Sequence, residues 1–332
     1  MSKDKLRFGI LGCGVIADFH AQAIATLDNA QLVGVSDNFV ASAEKMAAKY
    51  DVKAYATYAE MLSDSTIDAV CICTPSGFHA DNAIEALSAG KHVVLEKPMA
   101  FTFAETQKIK EACEKSGCVL TVVSQLRFSE SIGRVKKLLA EGVFGKIVFC
   151  DLYMKYWRSP AYYASSDWKG TLRFDGGGAL MNQGIHGVDL LLYLAGNATV
   201  VSSKNKTMFH DIEVEDASVS LLEFENGAMG VIEASTCAYP GFERKIEIVG
   251  TNGSVVLKED KIEKLVIGEE TLIDGIEEQV AGTASNPTAM GCELHALQIS
   301  NFIAAVLGKE KLLIDPSEGS RAVKLIEEIY SR

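Results

Sequence analysis

The chain has 332 residues, 48% hydrophobic and 23% charged, the composition of a soluble globular protein long enough for two domains with separate cores. A net charge of −12 argues against nucleic acid and anionic membrane as partners, because both select for basic surfaces. No apolar run reaches the ~18 residues of a membrane span, and MSKDKLRFGI leads straight into a strand without a secretory leader, so a cytoplasmic location is expected. The eight cysteines form no C-x-x-C pair and read as buried, reduced thiols, with no metal site expected.

In chain order, LRFGIL, QLVGVSD, IDAVCICTP, KHVVLEKP and CVLTVVSQ are apolar runs separated by helix-period stretches, with a weaker run near Val52–Tyr55. Continuous rather than alternating runs mark strands buried on both faces, and the βαβ alternation predicts a doubly wound α/β fold with a parallel sheet over residues 1–124. Thr57 with Glu60 and Thr102 with Glu105 have capping-box spacing, and Gly90 and Gly117 stand where C-terminal caps belong. From Gln125 the composition changes, and residues 125–332 are expected to form a second, α+β domain. A helix through SIGRVKKLLAEG leads into longer strands, KIVFCDLYMKYW, ASVSLLEFENGAMGVIEAST and ERKIEIVGTNGSVVL. Asn226-Gly227 and Asn252-Gly253 predict type I′ hairpins, hence a mainly antiparallel sheet with helices on one side. A long helix is expected from about Pro287, and the last helix, PSEGSRAVKLIEEIY, could pack on either domain.

Gly12-Cys13-Gly14-Val15-Ile16-Ala17 follows the first strand and opens a helix. The first glycine allows the tight turn, the second lets backbone amides approach a pyrophosphate, and Ala17 keeps the helix close to its strand. Asp37, at the end of the second strand, has the offset of a carboxylate that binds ribose hydroxyls. It would repel a 2′-phosphate, so NAD is favoured over NADP.

Thr74-Pro75-Ser76, His79 at the next helix start, and Glu96-Lys97-Pro98 follow later strands of the same sheet, and Gln125 follows the last. Ligands of open α/β sheets bind beyond the carboxyl ends of the strands, so these segments should border the nicotinamide half of the cofactor. In the second half, FDGGGALMNQGIHGVDLLLYLAG carries three glycines, Gly176 to Gly178, and then a helix with Asn182 and His186 four residues apart on one face, and Asp189 beyond.

Together G-x-G-x-x-A, T-P-x-x-x-H, A-G-K-H-V-x-x-E-K-P and G-G-G-x-L-x-x-x-G-x-H-x-x-D resemble the Gfo/Idh/MocA oxidoreductases, over nearly the whole chain. The resemblance implies a Rossmann domain and a second domain whose open sheet serves as an oligomer interface, giving a homodimer or homotetramer. It also implies NAD(P)-dependent oxidation of a secondary hydroxyl on a sugar, sugar nucleotide or cyclitol. On that reading Lys97 is the catalytic lysine, Glu96 a cofactor contact and His186 the catalytic histidine. Where many members have aspartate this chain has Asn182. The run N-Q-G-I-H, with Y-Y-x-x-x-x-W-K-G-T at residues 162 to 171, is more similar to a subgroup that includes dehydrogenases acting at C3 of pyranosides and of UDP-N-acetylglucosaminuronate.

A free lysine, with a pKa of ~10.4, is a poor base at neutral pH. Burial and a positive nicotinamide would shift Lys97 toward the neutral form, and Asn182 would supply hydrogen bonds without opposing that shift. Arg127, Lys155, Arg158, Tyr163 and Trp168 are candidates for the sugar pocket, Trp168 for an apolar sugar face and Lys155 and Arg158 for a carboxylate or phosphate. Two other functions keep the fold: a redox-cycling glycosidase that retains its NAD, and a dinucleotide-binding sensor. The retained Lys97 and His186 weigh against the sensor.

Overall fold

The computed structural model describes residues 5–166, 168–275 and 291–332. They divide into two compact units, the residues up to Gln125 with Gly291–Ser320, and those from Leu126 with Arg321–Arg332.

The first unit is built on six parallel strands: β1 (Leu6–Leu11), β2 (Ala30–Ser36), β3 (Lys53–Tyr55), β4 (Ala69–Ile72), β5 (His92–Leu95) and β6 (Leu120–Val122), in the order β3-β2-β1-β4-β5-β6. Its helices are α1 (Val15–Ala25), α2 (Val40–Tyr50), α3 (Tyr58–Ser63), α4 (His79–Ser88) and α5 (Phe103–Ser116). The central strands β1, β4 and β5 are buried along both faces, as the continuous apolar runs require; all four residues of β4 are below 1% exposed. The strand order reverses beside β1, so the crevice beyond the carboxyl ends of β1 and β4 is the topological switch point.

Thr102 and Glu105 form the expected reciprocal capping box of α5. At α3 only half of it forms: Thr57 accepts from the Glu60 amide, while the Glu60 carboxylate reaches one residue further back, to the amide of Ala56. Gly90 and Gly117 both adopt positive φ at helix ends. The expected boundary at residue 124 leaves out one element. Helix Glu293–Val306 places Ile299, Phe302 and Ile303 in the same core as Phe8, Ile10 and Ala21, so it belongs to the first unit. Pro287, the expected start of that helix, lies outside the described residues.

The second unit holds an eight-stranded sheet of β7 (Ile147–Lys155), β8 (Ala198–Lys206), β9 (Ala217–Phe224), β10 (Met229–Ser235), β11 (Lys245–Gly250), β12 (Gly253–Lys258), β13 (Lys261–Ile267) and β14 (Glu270–Asp274). The order is β14-β13-β12-β11-β7-β10-β9-β8, and only the β7–β10 pair is parallel. Its helices are α6 (Glu130–Ala140), α7 (Pro160–Ala164), α8 (Leu172–Asp175) and α9 (Ile185–Ala195). Both hairpins form where the Asn-Gly pairs stand, but neither is type I′. In the first, Gly227 alone has positive φ, and the Asn226 side chain accepts from the amide of Ala228. In the second, Gly250 pairs with Gly253, so the loop residues are Thr251 and Asn252 and the glycine already belongs to β12.

Candidate active site

In the first unit Gly12, at φ +87°, turns the chain out of β1, and a Cβ there would lie 2.7 Å from the carbonyl oxygen of Cys73 and 2.9 Å from the amide nitrogen of Thr74. Only glycine fits between the two strand ends. A Cβ on Gly14 would meet nothing within 4 Å, so the backbone at the start of α1 faces open space, as a pyrophosphate cradle must. Val15 is exposed, Ile16 half-buried and Ala17 fully buried against the sheet. The Asp37 carboxylate accepts from the Cys13 amide at 2.7 Å and from the Phe39 amide at 2.7 Å, which ties the end of β2 to the glycine loop. Gln125 is 3% exposed and its Oε1 is a buried oxygen with no hydrogen-bond partner, an acceptor poised for a donor the chain does not supply. The loop, Asp37 and Gln125 therefore fit a dinucleotide.

Lys97 is half-buried immediately after β5, at the same carboxyl edge as the loop. Its amide donates to Glu96 Oε2 at 3.2 Å, while Glu96 Oε1 lies 2.8 Å from His20 Nε2. Glu96, which the resemblance implied as a cofactor contact, is buried and bound to His20 and to the Lys97 amide. Burial alone would raise its carboxyl, but the hydrogen bond and charge of His20 outweigh burial and hold it at about 2. Burial likewise works against a charged His20 ring, and Cys73, Cys71 and Glu96 around it work for it. Burial pushes the Cys73 thiol up to about 11, so at neutral pH it is uncharged, and the Glu96 carboxylate holds the proton on His20.

His79 is also buried, with Nδ1 2.7 Å from the Pro98 carbonyl and Nε2 2.9 Å from that of Thr74. It braces two strand-end turns against each other. Pro75 is exposed beside it and Thr74 is half-buried.

Among the described residues one group has metal-ligand chemistry: atoms of His20, Glu96 and His295 lie within 4.8 Å of one another. The 2.8 Å His20–Glu96 separation is shorter than the ~3.3 Å between two ligands of a tetrahedral zinc with bonds near 2.0–2.1 Å. The pair as it stands is an ionic hydrogen bond, and burial, followed by the charge of His20, pushes His295 down to about 4 and leaves it neutral.

In the second unit, the glycine run is shaped by Glu215. Its carboxylate accepts from the amides of Gly178 and Leu180, each at 2.8 Å, and from the Tyr330 hydroxyl at 2.8 Å. A Cβ on Gly178 would overlap the Glu215 carbonyl, so the close approach demands glycine. The chain then forms a π-helical turn, Ala179–Gly184, in which the amides of Asn182 and Gln183 both donate to the Gly178 carbonyl. The expected single helix is therefore two: Asn182 lies in the wide turn and His186 in the first turn of α9. Both are half-buried.

Asn182 Nδ2 donates to Asp175 Oδ1 at 2.5 Å, and Asp175 Oδ2 accepts from the Gly170 amide at 2.6 Å. Next along the turn, Gln183 bridges the expected Arg158 and its neighbour Tyr162: Arg158 Nε donates to its Oε1 at 2.9 Å, and its Nε2 donates to the Tyr162 hydroxyl at 2.9 Å. Tyr163 packs on His210 at 4.7 Å and donates to Thr236 Oγ1 at 2.9 Å. Burial lowers the Arg158 guanidinium and raises the Tyr162 phenol. Lys169 sits over the rings of Tyr162 and Trp168.

Arg158, Tyr163 and Asn182 thus belong to connected packing around the π turn. Arg127 and Lys155 do not. Arg127 is 3% exposed and holds Asp189 in a two-pronged ion pair at 2.9 and 2.7 Å, with Tyr193 stacked on it. Lys155 pairs with Glu233 at 2.7 Å on a solvated part of the sheet. Asp175, Tyr162, Gln183 and Glu215 are the participants that sequence reasoning missed. Tyr162 and Gln183 stand inside quoted motifs, whereas Glu215 reaches its partners across 35 and 37 residues.

The sequence model for the oxidoreductase family with an NAD-binding Rossmann fold matches residues 6–124, and that for the GFO/IDH/MocA C-terminal domain matches residues 132–256. The chain belongs to the GFO/IDH/MocA family. It is an NAD-dependent oxidoreductase, as the glycine loop and Asp37 led us to expect. The WlbA dehydrogenase from Bordetella pertussis, solved in complex with NADH and UDP-GlcNAcA, is 33% identical with a TM-score of 0.88 over 98% of this chain and 96% of that one. The scyllo-inositol 2-dehydrogenase (NAD(+)) of Bacillus subtilis is 28% identical over 264 residues, 76% of this chain and 74% of the relative. The D-glucoside 3-dehydrogenase of Escherichia coli is 29% identical over 256 residues, 71% of each. Among the described residues no helix is long and apolar enough to cross a membrane.

Proposed function

We propose that this enzyme oxidises a secondary ring hydroxyl of a sugar, glycoside, sugar nucleotide or cyclitol, at C3 in a pyranoside, with Lys97 as the general base. The observation that carries this reading is the position of Lys97. It follows β5 at the same carboxyl edge of one parallel sheet as the Gly12–Gly14 loop, beside the switch point where open α/β sheets bind their ligands. The three relatives act on, or were solved with, an inositol, a glucoside and a UDP-sugar acid, which supports the substrate class.

Gly12, Gly14, Val15 and Ile16 would hold the pyrophosphate, Asp37 the adenosine ribose, and Thr74, Pro75 and Gln125 the nicotinamide half. NAD supplies the hydride acceptor when bound. Lys97 removes the hydroxyl proton, His186 orients the hydroxyl or shares that proton, and Asn182 positions it without adding charge. Arg158, Tyr163 and Trp168 line the sugar side, with Tyr162 and Gln183 fixing Arg158.

The outward face of the second sheet supports a homo-oligomer. Phe149, Val219, Leu221, Met229 and Val249 are 36–54% exposed there, and Phe149 pairs with Met229 and Val249 across neighbouring strands. A cytoplasmic setting accords with eight free cysteines.

The test is a panel of inositols, alkyl glucosides and UDP-sugar acids with NAD, read as NADH absorbance. NADH formation with one of these classes is the expected result. Release of aglycone without net NADH, or no reaction with any class, would overturn net dehydrogenation.

A further inference from the structure

The site lacks a carboxylate at position 182, yet one lies in contact with it. Asp175 is 3% exposed and closes α8, and its two oxygens are committed to the Gly170 amide and to Asn182 Nδ2. An ionised carboxylate is only an acceptor, so the amide of Asn182 must turn its nitrogen toward Asp175 and its carbonyl oxygen away. Without that neighbour the two ends of an asparagine amide are nearly equivalent in shape, and either could meet the substrate.

We propose that Asp175 is a positioning residue that fixes Asn182 as a hydrogen-bond acceptor toward the reacting hydroxyl. This deepens the reading of Asn182 as part of the site and rests on it. Asp175 itself stays behind Asn182, with the Lys169 ammonium and the Tyr162 and Tyr163 phenols as further titratable groups in its field, Arg158 beside those phenols, and His186 on the helix that follows.

The hydrogen-bond geometry predicts an unusual pattern among three variants. In Asn182→Asp two carboxylates face each other at a contact built for a donor and an acceptor, which repels or forces a proton onto one. In Asp175→Asn the new amide must keep its oxygen on the Gly170 amide, so its nitrogen confronts the nitrogen of Asn182. Asn182 then flips and offers a donor to the site. In the double variant Asp175→Asn/Asn182→Asp the two bonds described return. The oxygen of the residue at 175 accepts from Gly170, its nitrogen donates to the residue at 182, and the latter again faces the site with an acceptor.

The experiment is a double-mutant cycle read in two ways on the full chain. Thermal melting should fall by about 5 °C or more in Asn182→Asp and recover most of that loss in the double variant. With the best substrate of the panel, kcat should fall about tenfold or more in Asp175→Asn, with KM for NAD unchanged. Additive melting losses, or an unchanged kcat in Asp175→Asn, would overturn the proposal. A native enzyme that turns over nothing in the panel fails the dehydrogenase reading, while the melting cycle still decides the contact.

Discussion

His20 Nε2 and Glu96 Oε1 meet at 2.8 Å in the interior of the first unit, one residue from Lys97 and with 1% and 6% of their side chains exposed. A charge pair this deep gains little over an apolar pair of the same shape, but removing one partner leaves an uncompensated buried charge.

His20→Ala should therefore cost about 3–5 kcal/mol in denaturant unfolding, and the cost should depend on pH. The folded Glu96 titrates at about 2 against an ordinary 4.5, so its contribution is present above pH 4.5 and lost as pH falls through 2. The folded His20 titrates above its ordinary 6.5, so its contribution is full below 6.5 and lost as pH rises through the higher value. These are two views of one interaction. The gap between native and variant should be widest between about pH 4.5 and 6.5 and should narrow at both extremes. A gap that does not vary with pH would mean the pair is uncharged.

The two loop glycines should separate fold from cofactor. Gly12→Ala forces a Cβ against the Cys73 carbonyl at positive φ, and should cost of order 1–3 kcal/mol or more in stability. Gly14→Ala meets open space and should leave the melting temperature unchanged, while weakening NAD about tenfold or more in a fluorescence titration. Unchanged NAD affinity in Gly14→Ala would remove the loop from the pyrophosphate site.

Arg127 and Lys155 stood together as sugar-pocket candidates, and the structure separates them. Arg127→Ala should destabilise by about 3–5 kcal/mol by orphaning buried Asp189. Lys155→Ala breaks a solvated pair and should change stability by less than ~1 kcal/mol. A large rise in substrate KM in Lys155→Ala, with stability intact, would return it to the pocket.

What was legible in the sequence was local. Continuous apolar runs announced β1, β2, β4, β5 and β6, and the glycine loop announced the turn beside β1, because burial on both faces and a tight turn constrain neighbouring residues. The polar ATVVSSKNK of β8 and the largely exposed ETLID of β14 carry no such run, and both went unread along with β13. The hairpin type was missed because an Asn-Gly pair fixes where the chain reverses but not which residues sit at its centre. Glu215 under the glycine run and His295 beside Glu96 come from distant parts of the chain, and no spacing rule reaches that far. Arg127 was misplaced for the same reason: a buried ion pair and a substrate contact look alike until the partner, 62 residues away, is seen.

The most direct measurement is the turnover of Lys97→Ala with the panel substrate and saturating NAD, alongside its NAD affinity. A base at position 97 predicts at least ~100-fold loss of kcat with NAD binding preserved. Turnover within about tenfold of the native enzyme would contradict it.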